Sequence, residues 1–183
     1  MPERDEQLIT RFRQSGCVED LNELLSRHLA RIRRIVYSMV LDQDAADDVT
    51  QEIFLRVVRS IDSFDGRALF STWLYRISMN AVHTFLDRRN KAPVDFGQDT
   101  TNVPGCPFGM GDRALLEKEL STEIHHALDK LSPRLRAAIV LIGIQEIPPT
   151  TAAQIENCST DTMYWRVHEA RRQLKEHLKE YLS

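Results

Sequence analysis

Between Asn90 and Asp112 the chain reads NKAPVDFGQDTTNVPGCPFGMGD, which holds three of its seven prolines and four of its seven glycines. Proline lacks the backbone N–H and glycine costs the most backbone entropy to order, so neither a helix nor a strand is expected to run through this stretch. On both sides of it apolar residues recur at helical spacing, and no segment alternates with period two over a useful length. The expectation is an all-α chain: residues 1–90 and 113–183 form two small helical domains, with residues 91–112 as a flexible linker. A total of 183 residues suits that division, because a folding unit typically takes ~100 to 150 residues.

In the first half Leu21, Leu24, Leu25, Leu29, Ile32, Ile35, Val36 and Met39 make one apolar stripe, and Arg27, Arg31, Arg33 and Arg34 occupy much of the remaining surface. A second helix is expected from LDQDAADDV, with Asp44 as its N-cap and Val49, Ile53, Val57 and Ile61 as its core stripe. After the turn signal Asp65-Gly66 a third helix is predicted from Phe70 to about Arg89. On it Arg76, Asn80, His83 and Asp87 fall at i, i+4, i+7 and i+11, forming a polar strip opposite Leu74, Ile77, Ala81 and Phe85. Phe70, Trp73 and Tyr75 crowd its start; at least one of Phe70 and Trp73 belongs to the core, since buried aromatics outnumber base-stacking ones. Arg88, Arg89 and Lys91 close the helix, where cations suit both the helix dipole and a DNA backbone.

In the second half Leu116, Leu120, Ile124 and Leu128 return to helical register, and Ser132-Pro133 reads as a cap followed by proline at the first helical position. A short helix over about Thr150 to Glu156 and a long one from Ser159 or Thr160 have the spacing of a helix-turn-helix, whose second helix lies in the major groove. Ser159, Thr160 and Thr162 then sit where free N–H groups favour phosphates, and Tyr164, Trp165, Arg166 and His168 face either the groove or the core. Five Arg or Lys against four Asp or Glu from Thr160 onward is a solvated face rather than a strong basic stripe. A plain helical hairpin is therefore the alternative on local chemistry alone.

Composition narrows the function classes. A net charge of -3 and a pI near 6.1 exclude a histone-like binder, so DNA contact has to come from local patches. Cys17, Cys106 and Cys158 are odd in number and widely spaced, which points to a reducing compartment. The N-terminus has no apolar segment, and no membrane span is expected, so the chain reads as cytoplasmic. His125 and His126 diverge on a helix, and His28, His83, His168 and His177 lack metal-site spacing. No phosphate loop, nucleophile elbow or metalloprotease motif is present, so neither an enzyme nor a cofactor is expected. A thiol or zinc sensor built on Cys106 or Cys158 is the only remaining chemistry, and isolated cysteines are more often inert.

The run DAADDVTQEIFLRVVRSIDSFDGRALFSTWLYRISMNAVHTFLDRR resembles conserved region 2 of the extracytoplasmic-function sigma factors of bacterial RNA polymerase. ALDKLSPRLRAAIVLI, followed by TDTMYWRVHEARRQL, is similar to their region 4. The resemblance implies that Asp48, Gln51 and Glu52 dock on a basic coiled coil of the polymerase's largest subunit, with the flap as a further contact. Asp48 and Glu52 are four apart and share a face; without the resemblance these acids read as stabilisers of the helix N-terminus. It also implies that the Asp62 to Ala68 loop, with Asp62, Ser63, Phe64, Asp65, Gly66 and Arg67, holds a base extruded from the minus-10 element. The next helix would track the strand through Arg76, Asn80, His83, Arg88 and Arg89. Extrusion costs a few kcal/mol, which a pocket, stacking and hydrogen bonds must offset.

Minus-35 DNA would be read by Ser159, Thr160, Thr162, Tyr164, Trp165, Arg166, His168, Arg171 and Arg172, and an anti-sigma factor would restrain the free chain. The sequence departs from the family at NCSTDTMYWR, where relatives usually carry G-x-S-x-x-T-V-K-S-R. Asn157 tolerates the left-handed conformation in place of glycine, and fewer positive charges imply weaker nonspecific affinity. The rival readings are a conventional helix-turn-helix regulator that binds duplex DNA as a dimer, and a sigma-like interaction module that directs no transcripts.

Overall fold

The stripe that begins at Leu21 becomes the long helix α2 (Val18–Val40), which buries Leu21, Leu24, Ile32, Ile35, Val36, Met39 and Val40. The structure is a computed structural model, and it describes residues 4–91 and 123–179. Around α2 stand α1 (Asp5–Ser15), α3 (Gln43–Ser60), a single 3-10 turn (Ile61–Ser63) and α4 (Phe70–Lys91). Of the expected stripe, Leu29 remains 47% exposed among the described residues.

Two expectations need correction. The N-terminal segment forms α1, which the sequence reading left without structure; it docks through Leu8 and Ile9 and ends at Gly16, whose φ of 68° is the left-handed conformation that terminates a helix. The N-cap of α3 is Asp42, not Asp44: its carboxylate accepts a hydrogen bond from the Ala45 N–H at 2.8 Å, and Asp44 lies inside the first turn. At the other end α4 includes Lys91, one residue into the expected linker. The rest of that linker, Cys106 included, lies outside the described residues, as do Leu116 and Leu120 of the second helical half.

The second domain contains α5 (residues 123–129), α6 (Pro133–Ala138), α7 (Pro149–Ile155) and α8 (Thr160–His177). Leu128, Leu131, Leu135, Ile139 and Ala170 form a small apolar cluster of α5, α6 and α8. Beyond Ala138 the helix widens into a π turn, Ile139–Ile144, in which the Gln145 N–H reaches the Val140 carbonyl at 3.0 Å. Pro148 and Pro149 open α7, since proline loses nothing where a helix N–H has no partner. Asn157 takes a φ of 50° at the turn into α8, as the sequence reading requires, and the Ser159 hydroxyl caps α8 by accepting from the Thr162 N–H at 3.1 Å.

The two domains pack on one another. Ala137, Ala138, Val140, Leu141, Ile147, Ala152 and Ala153 join the same apolar core as α2, α3 and α4. Polar ties cross the seam: Arg31 donates to the Gln145 side-chain oxygen at 3.2 Å and to its carbonyl at 2.8 Å, and Arg136 donates to the Met39 carbonyl at 2.6 Å. Arg136 is buried, and loss of hydration pushes its pKa down while Asp129 pulls it back up.

Phe70 is fully buried, whereas Leu29 is not. In urea titrations Phe70→Ala is expected to lower the free energy of unfolding by about 3 to 5 kcal/mol, and Leu29→Ala to change it by less than about 0.5 kcal/mol. Equal losses at the two positions would contradict the packing described.

Candidate nucleic-acid interface

Three surfaces carry the residues singled out from the sequence. The first is the outer face of α3. Asp48, Gln51 and Glu52 are all exposed there, and Asp48 and Gln51 make no side-chain hydrogen bond among the described residues; Glu52 pairs with Arg56 one turn on. The same face continues through Leu55, 56% exposed, and Val58, 41% exposed. Sequence reasoning missed these two, although Leu55 stands seven positions after Asp48 and so in the same helical register. The face thus joins exposed acids to exposed aliphatic side chains on one helix. Asp47, one position before Asp48, is spoken for: Arg33 binds it through two nitrogens at 2.5 and 2.9 Å, which holds its carboxyl below the usual range.

The second surface is the loop between α3 and α4 with the strip beyond it. Asp62, Ser63, Asp65, Gly66 and Arg67 are exposed, and the turn closes on itself through the Arg67 N–H donating to Asp65 at 3.1 Å, with Gly66 at a φ of 73°. Phe64 is the exception among the loop residues expected to meet DNA. Its side chain is only 4% exposed and seats against Phe70 and Trp73 with ring centroids at 5.7 and 5.6 Å, so it anchors the loop and offers no face to a base. Phe70 is core and Trp73 is half-buried beside it, as the aromatic argument requires. Tyr75 is buried too, with the Arg31 guanidinium 5.5 Å from its ring centre.

Along α4 the strip is only partly open. Asn80 is exposed beside a shallow hollow of 370 Å³ that Arg56, Arg59, Ser60 and Ile77 also line. Arg76 donates to the Gln154 carbonyl of α7 at 3.1 Å, and the His83 ring lies 3.0 Å from the Glu156 carboxylate. Arg88 is exposed at the helix end, and Arg89 reaches the Val40 carbonyl at 3.4 Å.

The third surface is α8. Met163, Val167 and Ala170 turn inward, which leaves Tyr164 at 57% and Trp165 at 61% exposure, with His168, Arg171 and Arg172 exposed on the same outer side. Ser159 and Thr162 engage each other through their hydroxyls at 2.8 Å, and Thr160 opens the first turn. Arg172 binds Glu169 at 2.6 and 2.9 Å and, with Gln173, brings that carboxyl down to about 2. Arg166 points elsewhere: it is half-buried and faces Glu156 at 3.5 Å.

Glu156 is the residue the sequence reading overlooked. Its side chain is 1% exposed at the end of α7 and receives His83 from α4, Arg134 from α6 at 3.4 Å and Arg166 from α8. Burial raises its pKa, but the His83 hydrogen bond and charge, then Arg134 and Arg166, outweigh it and leave the carboxyl below the ordinary 4.5. One carboxylate thus ties a side chain of the expected minus-10 strip to one of the expected minus-35 helix.

The chain thus has two packed helical domains, the second ending in a helix-turn-helix, and an exposed acidic face on α3 of the first. The sigma-70 region 2 family matches residues 24–92. The RNA polymerase sigma-H factor of Pseudomonas aeruginosa is 30% identical over 179 residues, covering 92% of this chain and 91% of that one. The ECF RNA polymerase sigma factor SigW of Bacillus subtilis is 31% identical over 177 residues, covering 91% and 93%. This chain belongs to the extracytoplasmic-function sigma factors, and it is an alternative sigma factor that directs RNA polymerase to promoters.

Among solved structures, RpoE in complex with the anti-sigma factor NepR from Bartonella quintana aligns with a TM-score of 0.71 at 26% identity, covering 88% of this chain and 98% of that one. CnrH in complex with the cytosolic domain of CnrY aligns with a TM-score of 0.72 at 23% identity, over 97% and 99%, a likeness of fold. Among the described residues no helix is long and apolar enough to cross a membrane, and no group of three or more His, Cys, Asp or Glu could hold a metal ion.

Because the Glu156 pKa is depressed in the folded chain, its contribution to stability is complete above the unfolded value near 4.5 and is lost as pH falls through the lower folded value. The melting temperature of Glu156→Gln is therefore expected to lie below that of the parent at neutral pH, and the gap to close as the pH drops below about 4.5. A gap that widened under acid would reverse the sign of this coupling.

Proposed function

We propose that Asp48, Gln51 and Glu52, extended by Leu55, grip the coiled coil of the polymerase's largest subunit, and that this contact is what allows the chain to open promoter DNA. The observation that supports it is the α3 face itself. Its acids point outward and sit beside an aliphatic side chain exposed at a cost that a partner would remove. Promoter DNA then meets two places: the minus-10 element at the exposed loop residues, Asn80, Arg76, His83 and the Arg88–Arg89 end of α4, and the minus-35 element at α8. On α8 the readers are the outward residues Tyr164, Trp165, His168, Arg171 and Arg172. Region 2 spans residues 1–90 and region 4 residues 113–183. The chain acts in the cytoplasm, performs no bond chemistry, and needs no cofactor.

The closed packing of the two domains is read as the resting state. His83 is largely covered by Glu156, so the domains must part before a strand can reach it, while Arg76 is exposed and tied only by its bond to the Gln154 carbonyl. Separation is feasible because the seam is imperfect: the Gln145 side-chain N–H group is buried without a partner, a defect that costs about 1 to 3 kcal/mol. An anti-sigma factor would favour the closed form. That two structural neighbours were solved as complexes, RpoE with NepR and CnrH with CnrY, supports this partnership.

The test of core docking is in vitro transcription from a genomic promoter library with core enzyme. The parent chain is expected to create specific start sites, and an Asp48→Ala, Glu52→Ala variant to lose them along with core binding. Symmetric operator footprints from the chain alone would instead favour a conventional regulator. Opening is tested by small-angle scattering. The free parent is expected near the compact-chain radius of about 16 Å, with a larger value for the Glu156→Gln, Arg31→Ala pair; an unchanged radius would sink the proposed separation.

A further inference from the structure

Arg13, in the last turn of α1, reaches across to the end of α3. Its Nη2 donates to the carbonyls of Ile61 at 2.6 Å, Asp62 at 3.1 Å and Phe64 at 2.6 Å, and its Nε lies 4.0 Å from the Asp62 carboxylate. Ile61 and Asp62 lie in the 3-10 turn that ends α3 and Phe64 caps it, its N–H donating to the Ile61 carbonyl at 3.2 Å; the dipole there is negative, so a guanidinium suits this cluster of carbonyls. The loop that follows is then held at two points. Phe64 pins it from inside the core, and Arg13 fixes its backbone from outside. Between those pins and α4 only Asp65, Gly66, Arg67, Ala68 and Leu69 project freely.

Arg13 is not the sole anchor of α1. That helix is docked by Leu8 and Ile9, by Asp5 against His28 at 2.7 Å, and by Arg11 against Asp20. The Arg13 guanidinium is committed to main-chain oxygens of a different segment, so its removal is expected to loosen the loop while the other contacts keep the helix seated.

We propose that Arg13 is a positioning residue for promoter opening: by clamping the Ile61–Phe64 carbonyls it presents the Asp65–Arg67 turn to the displaced minus-10 strand in one shape. The inference rests on the reading that this loop meets that strand. Capture of an extruded base succeeds only if the pocket exists before the base arrives, because the pocket must offset the cost of unstacking. A loop left to sample many shapes would lose discrimination between bases before it lost contact with DNA. Sequence position hides this role, since Arg13 and Ile61 are far apart in the chain and α1 precedes the region-2 match.

The experiment compares full-length parent, Arg13→Ala and Arg13→Lys, each with core polymerase, on duplex promoters and on promoters already unpaired over the minus-10 element, with each minus-10 base varied in turn. For Arg13→Ala, core binding is expected to stay at the parent level. Discrimination at the base held by the loop, about five- to a hundredfold in the parent, is expected to fall to within about twofold. Permanganate reactivity of minus-10 thymines should drop on duplex templates, with a smaller loss on unpaired ones, and Arg13→Lys should restore part of both.

Unaltered base discrimination in Arg13→Ala, or an equal loss on every template and base, would overturn the proposal. So would a salt dependence of binding shallower by about one unit, which marks a direct phosphate contact. Asp65→Ala and Arg67→Ala separate the two levels of the argument. If these also leave minus-10 discrimination untouched, the loop itself is not the reader; if they abolish it while Arg13→Ala does not, only the clamp is refuted.

Discussion

The fold depends on burial of one apolar stripe. Helix α2 presents Leu21, Leu24, Ile32, Ile35, Val36 and Met39 to its neighbours, and α1, α3, α4 and the π turn of the second domain all lean on it. Each such side chain removed from water contributes about 1.5 to 3 kcal/mol, more than any surface ion pair in the molecule can supply. Because α2 is shared, the first domain's interior and the seam between domains are parts of one apolar cluster. That continuity explains how two helical units whose expected connection is rich in proline and glycine come to rest against each other.

Arginine plays a second, less visible role. Arg13, Arg31, Arg76, Arg89 and Arg136 all donate to main-chain carbonyls at helix ends or turns. A guanidinium is suited to this, since its donors are fixed in a plane and its charge is matched to the negative ends of helices. A count of positive charges would assign these residues to nucleic acid, and the structure shows several of them holding backbone instead. On the basic face of α2 Arg31 binds the Gln145 carbonyl just past the π turn, and Arg33 binds the Asp47 side chain. On α8, by contrast, the aromatic rings of Tyr164 and Trp165 remain exposed.

Glu156 concentrates the electrostatics of the seam. A carboxylate so deeply buried is tolerable only with several cationic or hydrogen-bonding neighbours, and His83, Arg134 and Arg166 come from three different helices. Two of these were expected to serve DNA. In the packed chain both are engaged with one internal acid, so neither side chain is free at the surface where it was expected.

Much was legible from the sequence. Helical periodicity and the turn at Asn157 depend on neighbours within a few positions, so local rules specify them. The outward face of Asp48, Gln51 and Glu52 follows from helical register alone. Other features were decided by residues distant in the chain. The inward rotation of Phe64 depends on where Phe70 and Trp73 pack, the N-cap at Asp42 on where α2 stops, and the commitment of Arg13, Arg76, His83 and Arg166 on surfaces that assemble only when helices dock. Local sequence determines which segments are helices and which faces they offer, because hydrogen bonding and amphipathic spacing act over a few residues. Tertiary structure alone decides which charged groups remain free, because desolvation and ion pairing depend on neighbours in space and not in sequence.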